Sequence, residues 1–311
     1  MTLAMQVSVV ICTLDRVARL RRCVEALAQQ TASPCDFEIL IVDNGSTDGT
    51  ADVARTDFSG LANLRLVSEP RRGLARARNI GWQVARGEIV SFVDDDAIPA
   101  PDFVANVIRV FTTVSPRPGV VGGRIDALWE APRPPWLTDQ LAVYLTIVDW
   151  GPVAGPFPAG RSAVGCNMSI PRALLAEVGG FDVQLGRVGA NLLSMEDSAL
   201  STAITAAGYD AYYDPMIRVQ HCIPVERLTQ AWMRRRIYWE GASLARQRLQ
   251  ADGSPRRRAE LLARASAALV LKEPRAWQAL ATNSQDPAAF TVACMKLYRL
   301  GYLAGLCGLA R

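Results

Sequence analysis

Three carboxylates in a row, Asp94-Asp95-Asp96, directly follow the apolar run Ile89-Val90-Ser91-Phe92-Val93. Adjacent like charges repel one another and lose hydration when packed, so folding alone gives no reason for a strand to end this way. A hard divalent cation with oxygen ligands removes the difficulty, which makes the cluster a candidate site for Mg2+ or Mn2+. Taken by itself, a solvated loop after a strand is the competing reading. Two distant features bear on the choice. Glu196-Asp197 precedes Leu200, Ile204 and Gly208, a spacing that predicts an amphipathic helix whose N-terminus favours negative charge. A carboxylate there either caps the helix or takes a proton from a reacting hydroxyl. His221, the one histidine of the chain, ends a predicted strand, Val219-Gln220-His221. A solitary histidine is often structural, yet neutral imidazole also joins carboxylates around Mn2+.

The elements that must position these groups follow from the pattern of the first hundred residues. Val7–Cys12 is apolar, Val17, Leu20, Val24 and Leu27 recur at helical spacing, and Phe37–Val42 is apolar again. A third run, Leu64–Val67, leads into the alanine-rich stretch 73–85 and then the Ile89–Val93 run. Such alternation predicts an α/β chain with a parallel sheet, and unbroken apolar runs predict strands covered by helices on both faces. Ligands of such sheets bind outside the carboxyl ends of the strands. Asp15, Asp43 and Asp94–Asp96 all fall just past a predicted strand, so one crevice would collect them. Residues 97–224 are less regular, with Pro and Gly concentrated between Ser115 and Gly160 and long loops expected. From Pro224 the pattern is helical over about 225–250, 256–272 and 287–311, with Asp252-Gly253-Ser254-Pro255 as a linker.

Composition narrows the function classes. A chain of 311 residues, half of them apolar, buries a large core. Seven cysteines without a CxxC pair fit neither a disulfide framework nor a zinc knuckle, and point to a reducing, cytoplasmic setting. The start, MTLAMQVSVVICTL, lacks a basic n-region and reads as a first strand. Residues 225–311 carry 15 basic against 6 acidic side chains, while residues 1–224 carry 19 against 24. The basic surplus is therefore C-terminal, and with the uncharged Leu300–Ala310 it raises peripheral contact with an anionic membrane face. No interleaved aromatic and basic module predicts nucleic-acid binding. Gly73–Gly81 lacks G-x-G-x-x-G, which argues against a dinucleotide oxidoreductase.

Four segments occur in order: Val-Ser-Val-Val-Ile-Cys-Thr at 7–13, Ile-Val-Asp-Asn-Gly-Ser-Thr-Asp-Gly-Thr at 41–50, Gly-Leu-Ala-Arg-Ala-Arg-Asn-Ile-Gly at 73–81 and Gly-Glu-Ile-Val-Ser-Phe-Val-Asp-Asp-Asp at 87–96. With Gly165-Cys166-Asn167, Gly179-Gly180-Phe181-Asp182, Glu196-Asp197 and His221, they make the chain resemble the family 2 inverting glycosyltransferases of the GT-A fold over about residues 7–245. The resemblance implies a Rossmann-like, mixed but mainly parallel sheet flanked by helices, with a C-terminal helical extension. It divides the chain into a catalytic domain at 1–224 and a helical region at 225–311. Within the first, 1–96 would be the nucleotide-binding half and 97–224 the acceptor-binding half.

The resemblance also implies roles. A nucleotide-diphosphate-sugar donor would lie at the strand ends, with Thr13 and Asp15 beside it, Asp43 on the base and Arg78 facing the nucleotide or its phosphates. Asp94 and Asp96 match the flanking positions of the D-x-D element, with Asp95 between them on the donor side. Asp96 and His221 would hold the Mg2+ or Mn2+ ion. Asp197 would be the general base, with Glu196 as the alternative or as an acceptor-binding group. The acceptor would be a saccharide or a lipid-linked saccharide, in polysaccharide or glycolipid assembly. Departures from the pattern are Cys12 in place of proline, Ala203 in place of an arginine, and no Q-x-x-R-W element, which favours single addition over polymer synthesis. Two alternatives stay open: a nucleotide-sugar-binding scaffold without catalysis, and a nucleotidyltransferase. The second would show a glycine-rich, lysine-containing loop after the first strand, and Cys12–Arg22 has neither residue.

Overall fold

The computed structural model describes residues 5–187, 191–272 and 283–310. Residues 1–4 and Arg311, at the two ends of the predicted elements, lie outside that set. The strands are β1 (Val7–Thr13), β2 (Phe37–Asp43), β3 (Leu64–Ser68), β4 (Ile89–Asp94), β5 (Ala97–Pro99), β6 (Val120–Trp129), β7 (Gly155–Pro156), β8 (Asn167–Pro171) and β9 (Ala211–Ile223). The helices are α1 (Val17–Ala28), α2 (Thr50–Thr56), α3 (Leu74–Val84), α4 (Phe103–Thr113), α5 (Asp139–Ala142), α6 (Arg172–Val178), α7 (Glu196–Ala206), α8 (Gln230–Ala251), α9 (Pro255–Lys272) and α10 (Pro287–Cys307). The chain divides into two compact units. One comprises 1–128, 146–183 and 196–222, and the other 129–145, 184–195 and 223–311.

The first unit is built on a mixed sheet with strand order β3-β2-β1-β4-β8-β6-β9-β5, β7 adding to β9. The β3-β2-β1-β4 half is parallel, whereas the β4–β8, β8–β6 and β9–β5 pairs are antiparallel. Period-two alternation assigns each strand residue to one of two cores. Val7, Val9 and Ile11 join Ile39, Ile41 and Val93 beneath α1 and α4, whose Leu20, Val24, Val104 and Val107 complete that layer. Val10, Leu40, Val42, Val90 and Phe92 face the other way, onto Ala75 and Ala77 of α3, Leu174 of α6 and Leu200 of α7. Both faces are dry, which is why the strands read as continuous apolar runs.

The second unit is helical. Gly241 of α8 lies against the Tyr298 carbonyl of α10, and Gly301 of α10 against that of Tyr238, a backbone approach that any larger residue would block. Thr229 accepts from the Trp232 amide (3.2 Å) and Asp286 from the Ala288 amide (3.1 Å), capping α8 and α10. Among the described residues, no helix is long and apolar enough to cross a membrane.

Candidate functional site

Register places the site. In the parallel half, Thr13 lies opposite Asp43, and Cys12 opposite Asp94, so the carboxyl ends of β1, β2 and β4 stop side by side. β4 then turns through Asp95 and Asp96 into the short β5, which pairs with β9 so that Ala97 faces His221. The Cys222 amide donates to the Asp96 carbonyl (2.8 Å), and His221 Nε2 comes to 3.3 Å from Asp96 Oδ1. Residues 125 positions apart in sequence thus form one buried pair, His221 being 2 % and Asp96 3 % exposed.

The acidic turn is held by a cation that the sequence pattern did not single out. Arg16, three residues past Thr13, donates from Nη1 to Asp95 Oδ1 (3.0 Å) and to Asp96 Oδ2 (3.2 Å). Thr13 Oγ1 donates to the other oxygen of Asp95 (2.8 Å). Burial, opposed by Arg16 and reinforced by the Asp96 charge, pushes the Asp95 carboxyl up to about 6. Asp95 and Asp96 share the one partly exposed Arg16 guanidinium, which leaves this pair with excess negative charge, and Asp96 with His221 offers oxygen and imidazole donors to a divalent ion. Among the described residues no group of three His, Cys, Asp or Glu forms a complete cage. A two-ligand protein set fits an ion that shares its shell with phosphate oxygens and water.

Arg78, which the resemblance sets facing the nucleotide or its phosphates, lies between two carboxylates. The residue is 3 % exposed, and its guanidinium donates from Nη2 to Asp94 Oδ1 (3.1 Å) and from Nη1 to Glu196 Oε1 (2.8 Å) and lies 5.4 Å from the Phe181 ring centroid. Gly165 makes room for it, since a methyl group there would collide with the guanidinium. A cation between two carboxylates is driven up from its ordinary pKa by Asp94 and Glu196 in spite of burial, and stays charged. Glu196, for which Ala203 supplied no partner, receives it from a helix 118 residues away.

Arg78 therefore joins the acidic turn to the start of α7. There Asp197 Oδ2 accepts from the Gly165 amide (3.0 Å) and Oδ1 from the Ser198 amide (2.8 Å). Two backbone donors fix the plane of this half-buried carboxylate and leave lone pairs for another donor. Asp43 and Asp15 serve loop geometry as well. Asp43 Oδ1 accepts from the Ser46 amide (3.0 Å), and Asp15, at φ 53°, accepts from the Thr47 amide (2.6 Å) and donates its own amide to Ser46 Oγ (3.0 Å). Asp48 crosses back to accept from the Val17 amide at the start of α1 (3.0 Å). Asn44, unremarked within its motif, braces α3 by donating to the Glu69 carbonyl (2.7 Å) and accepting from the Gly73 amide (2.7 Å). Burial first, and the carboxylates of the acidic turn second, push the Cys23 and Cys166 thiols well above their ordinary value, which favours the neutral thiol.

Residues 8–147 match the family described as Glycosyl transferase family 2. The chain is 28 % identical over 243 residues to a glucosyl-dolichyl phosphate glucuronosyltransferase of Haloferax volcanii, spanning 77 % of this chain and 76 % of that protein. It is 30 % identical over 204 residues to a validoxylamine A glucosyltransferase of Streptomyces hygroscopicus subsp. limoneus, covering 56 % of this chain but only 43 % of that one. A solved mannosyltransferase, PcManGT from Pyrobaculum calidifontis in complex with GDP-Man and Mn2+, superposes with a TM-score of 0.63 at 23 % identity, over 98 % of this chain and 88 % of that chain. The sheet order, the acidic turn and these matches agree on the GT-A fold, and residues 8–147 carry the sequence match to the family 2 glycosyltransferases.

Proposed function

We propose that the enzyme moves a single sugar from a nucleotide-diphosphate-sugar to an acceptor hydroxyl in one displacement that inverts the anomeric centre. The observation that carries this reading is the Arg78 bridge, which holds the acidic turn and the first turn of α7 on opposite sides of one guanidinium. Asp96 and His221 would hold Mg2+ or Mn2+, which as a Lewis acid stabilises the charge developing on the leaving diphosphate. Mn2+ in the complex of the mannosyltransferase supports that assignment. Asp197, oriented by the Gly165 and Ser198 amides, takes the proton of the acceptor hydroxyl as its oxygen bonds to the anomeric carbon. The bond from that carbon to the diphosphate breaks, and its electron pair leaves with the nucleotide. Arg16, within reach of Asp95 and Asp96 and 35 % exposed, keeps the turn folded and presents positive charge at the donor end.

The acceptor we assign is a saccharide or lipid-linked saccharide, in keeping with the dolichyl phosphate of the Haloferax relative's name. The basic C-terminal region would then meet an anionic membrane face peripherally. Asp197→Asn tests the base: transfer should fall at least about a hundredfold while donor affinity holds, since general-base catalysis contributes roughly 10²–10⁴. Near-normal transfer by that variant would reassign the base. Undiminished turnover after chelation would remove the ion.

A further inference from the structure

A cavity of about 620 Å3 opens among α8, α9 and α10, and all its lining residues belong to the second unit. Its floor is apolar. Leu261 and Tyr302 are buried there with Ala245 and Leu306, and Leu244 packs against them. The wall is basic, with Arg248 from α8, Arg257 and Arg264 from α9 and Arg299 from α10. Among the described lining residues one acid, Asp252, stands against these four arginines. Glu260 adds a second carboxylate, 2.9 Å from Arg257 and 2.7 Å from Arg264, so the formal balance of the six side chains is +2. Arg248 donates to the Tyr302 hydroxyl (3.0 Å) with its guanidinium 5.4 Å from the ring centroid, which holds a cation directly over the apolar floor.

These surfaces ask for opposite things from one occupant. A purely apolar molecule would strip water from guanidinium groups without replacing it, while a bare anion would leave the leucine and tyrosine floor wet. A molecule with an anionic head and a hydrocarbon tail satisfies both. Arginines line the cavity from three helices, and several phosphate oxygens can serve more of them than the two oxygens of a carboxylate. The volume lies within the ~300–1,000 Å3 of small-molecule sites and admits a head group with the first part of one chain. We propose that this cavity is a binding site for a phosphate-headed, single-chain amphiphile, separate from the carboxylates of the sheet unit.

Isothermal titration of the full chain with dodecyl phosphate below its micelle concentration tests the assignment. Inorganic phosphate, dodecanoate and dodecanol serve as head-only, wrong-head and tail-only probes. Dodecyl phosphate should bind most tightly, and the double variant Arg257→Gln/Arg264→Gln, on exposed and half-exposed helix positions, should weaken it about tenfold. Ala265→Phe, which narrows the apolar side, should weaken dodecyl phosphate but leave inorganic phosphate unchanged. Inorganic phosphate or dodecanoate binding as tightly as dodecyl phosphate would overturn the proposal, as would unchanged affinity in both variants.

Discussion

Replacing Arg78 by methionine separates a bridging guanidinium from one that reaches for nucleotide. In the fold it is buried between Glu196, whose side chain is 7 % exposed, and Asp94, whose side chain is 32 % exposed. Removing one partner of a buried pair strands the other charge, at a cost of roughly 3–5 kcal/mol. That figure applies to Glu196. The Asp94 contact is screened by water and adds under about 1 kcal/mol. For a unit of this size a loss of that order lowers Tm by about 6–20 °C. Neutralising the stranded acid should restore part of it, so Arg78→Met/Glu196→Gln should melt well above Arg78→Met alone. Melting all four proteins of the cycle should give a coupling of about 1.5–3 kcal/mol. If Arg78→Met melted within a degree of the parent, with no coupling to Glu196 and a selective loss of donor affinity, the bridge would be secondary to nucleotide contact.

Other expectations concern the acidic turn and its surroundings. Arg16→Gln removes the cation that shares Asp95 and Asp96, so Mn2+ alone should bind about three- to tenfold more tightly by titration calorimetry, and weaker binding would refute a competing role. His221→Gln keeps the size of the side chain but weakens a nitrogen donor, so Mn2+ affinity should fall about tenfold or more while the melting point of the metal-free protein moves little. Gly165→Ala places a methyl group against the Arg78 guanidinium and should cost about 1–3 kcal/mol, read from the same melting experiment.

Strands β1, β2 and β4 were legible because they are buried on both faces and read as nearly unbroken apolar runs. The acidic turn stood out for the opposite reason, as charge where burial was expected. What the pattern did not reveal was carried by short or interrupted pieces. β5 is three residues long and ends in proline, yet its pairing with β9 brings His221 to Asp96. β6 runs ten residues through a stretch expected to be irregular, and its Gly122-Gly123 masks the strand because the Ile217 carbonyl occupies the space a side chain at Gly123 would need. Arg16 and the Arg78–Glu196 pair depend on contacts across 79 to 118 positions, which local periodicity does not encode.

The interlock of Asp15, Ser46, Thr47, Asp48 and Val17 has a bearing on redesign. Each of the two segments supplies acceptors for amides of the other, so neither keeps its conformation when its counterpart is replaced. An exchange of residues 43–50 intended to alter ligand preference should succeed only when 14–17 are transplanted from the same source. Swaps of one segment alone should yield folded protein whose grafted segment fails to reproduce the conformation it had in its parent.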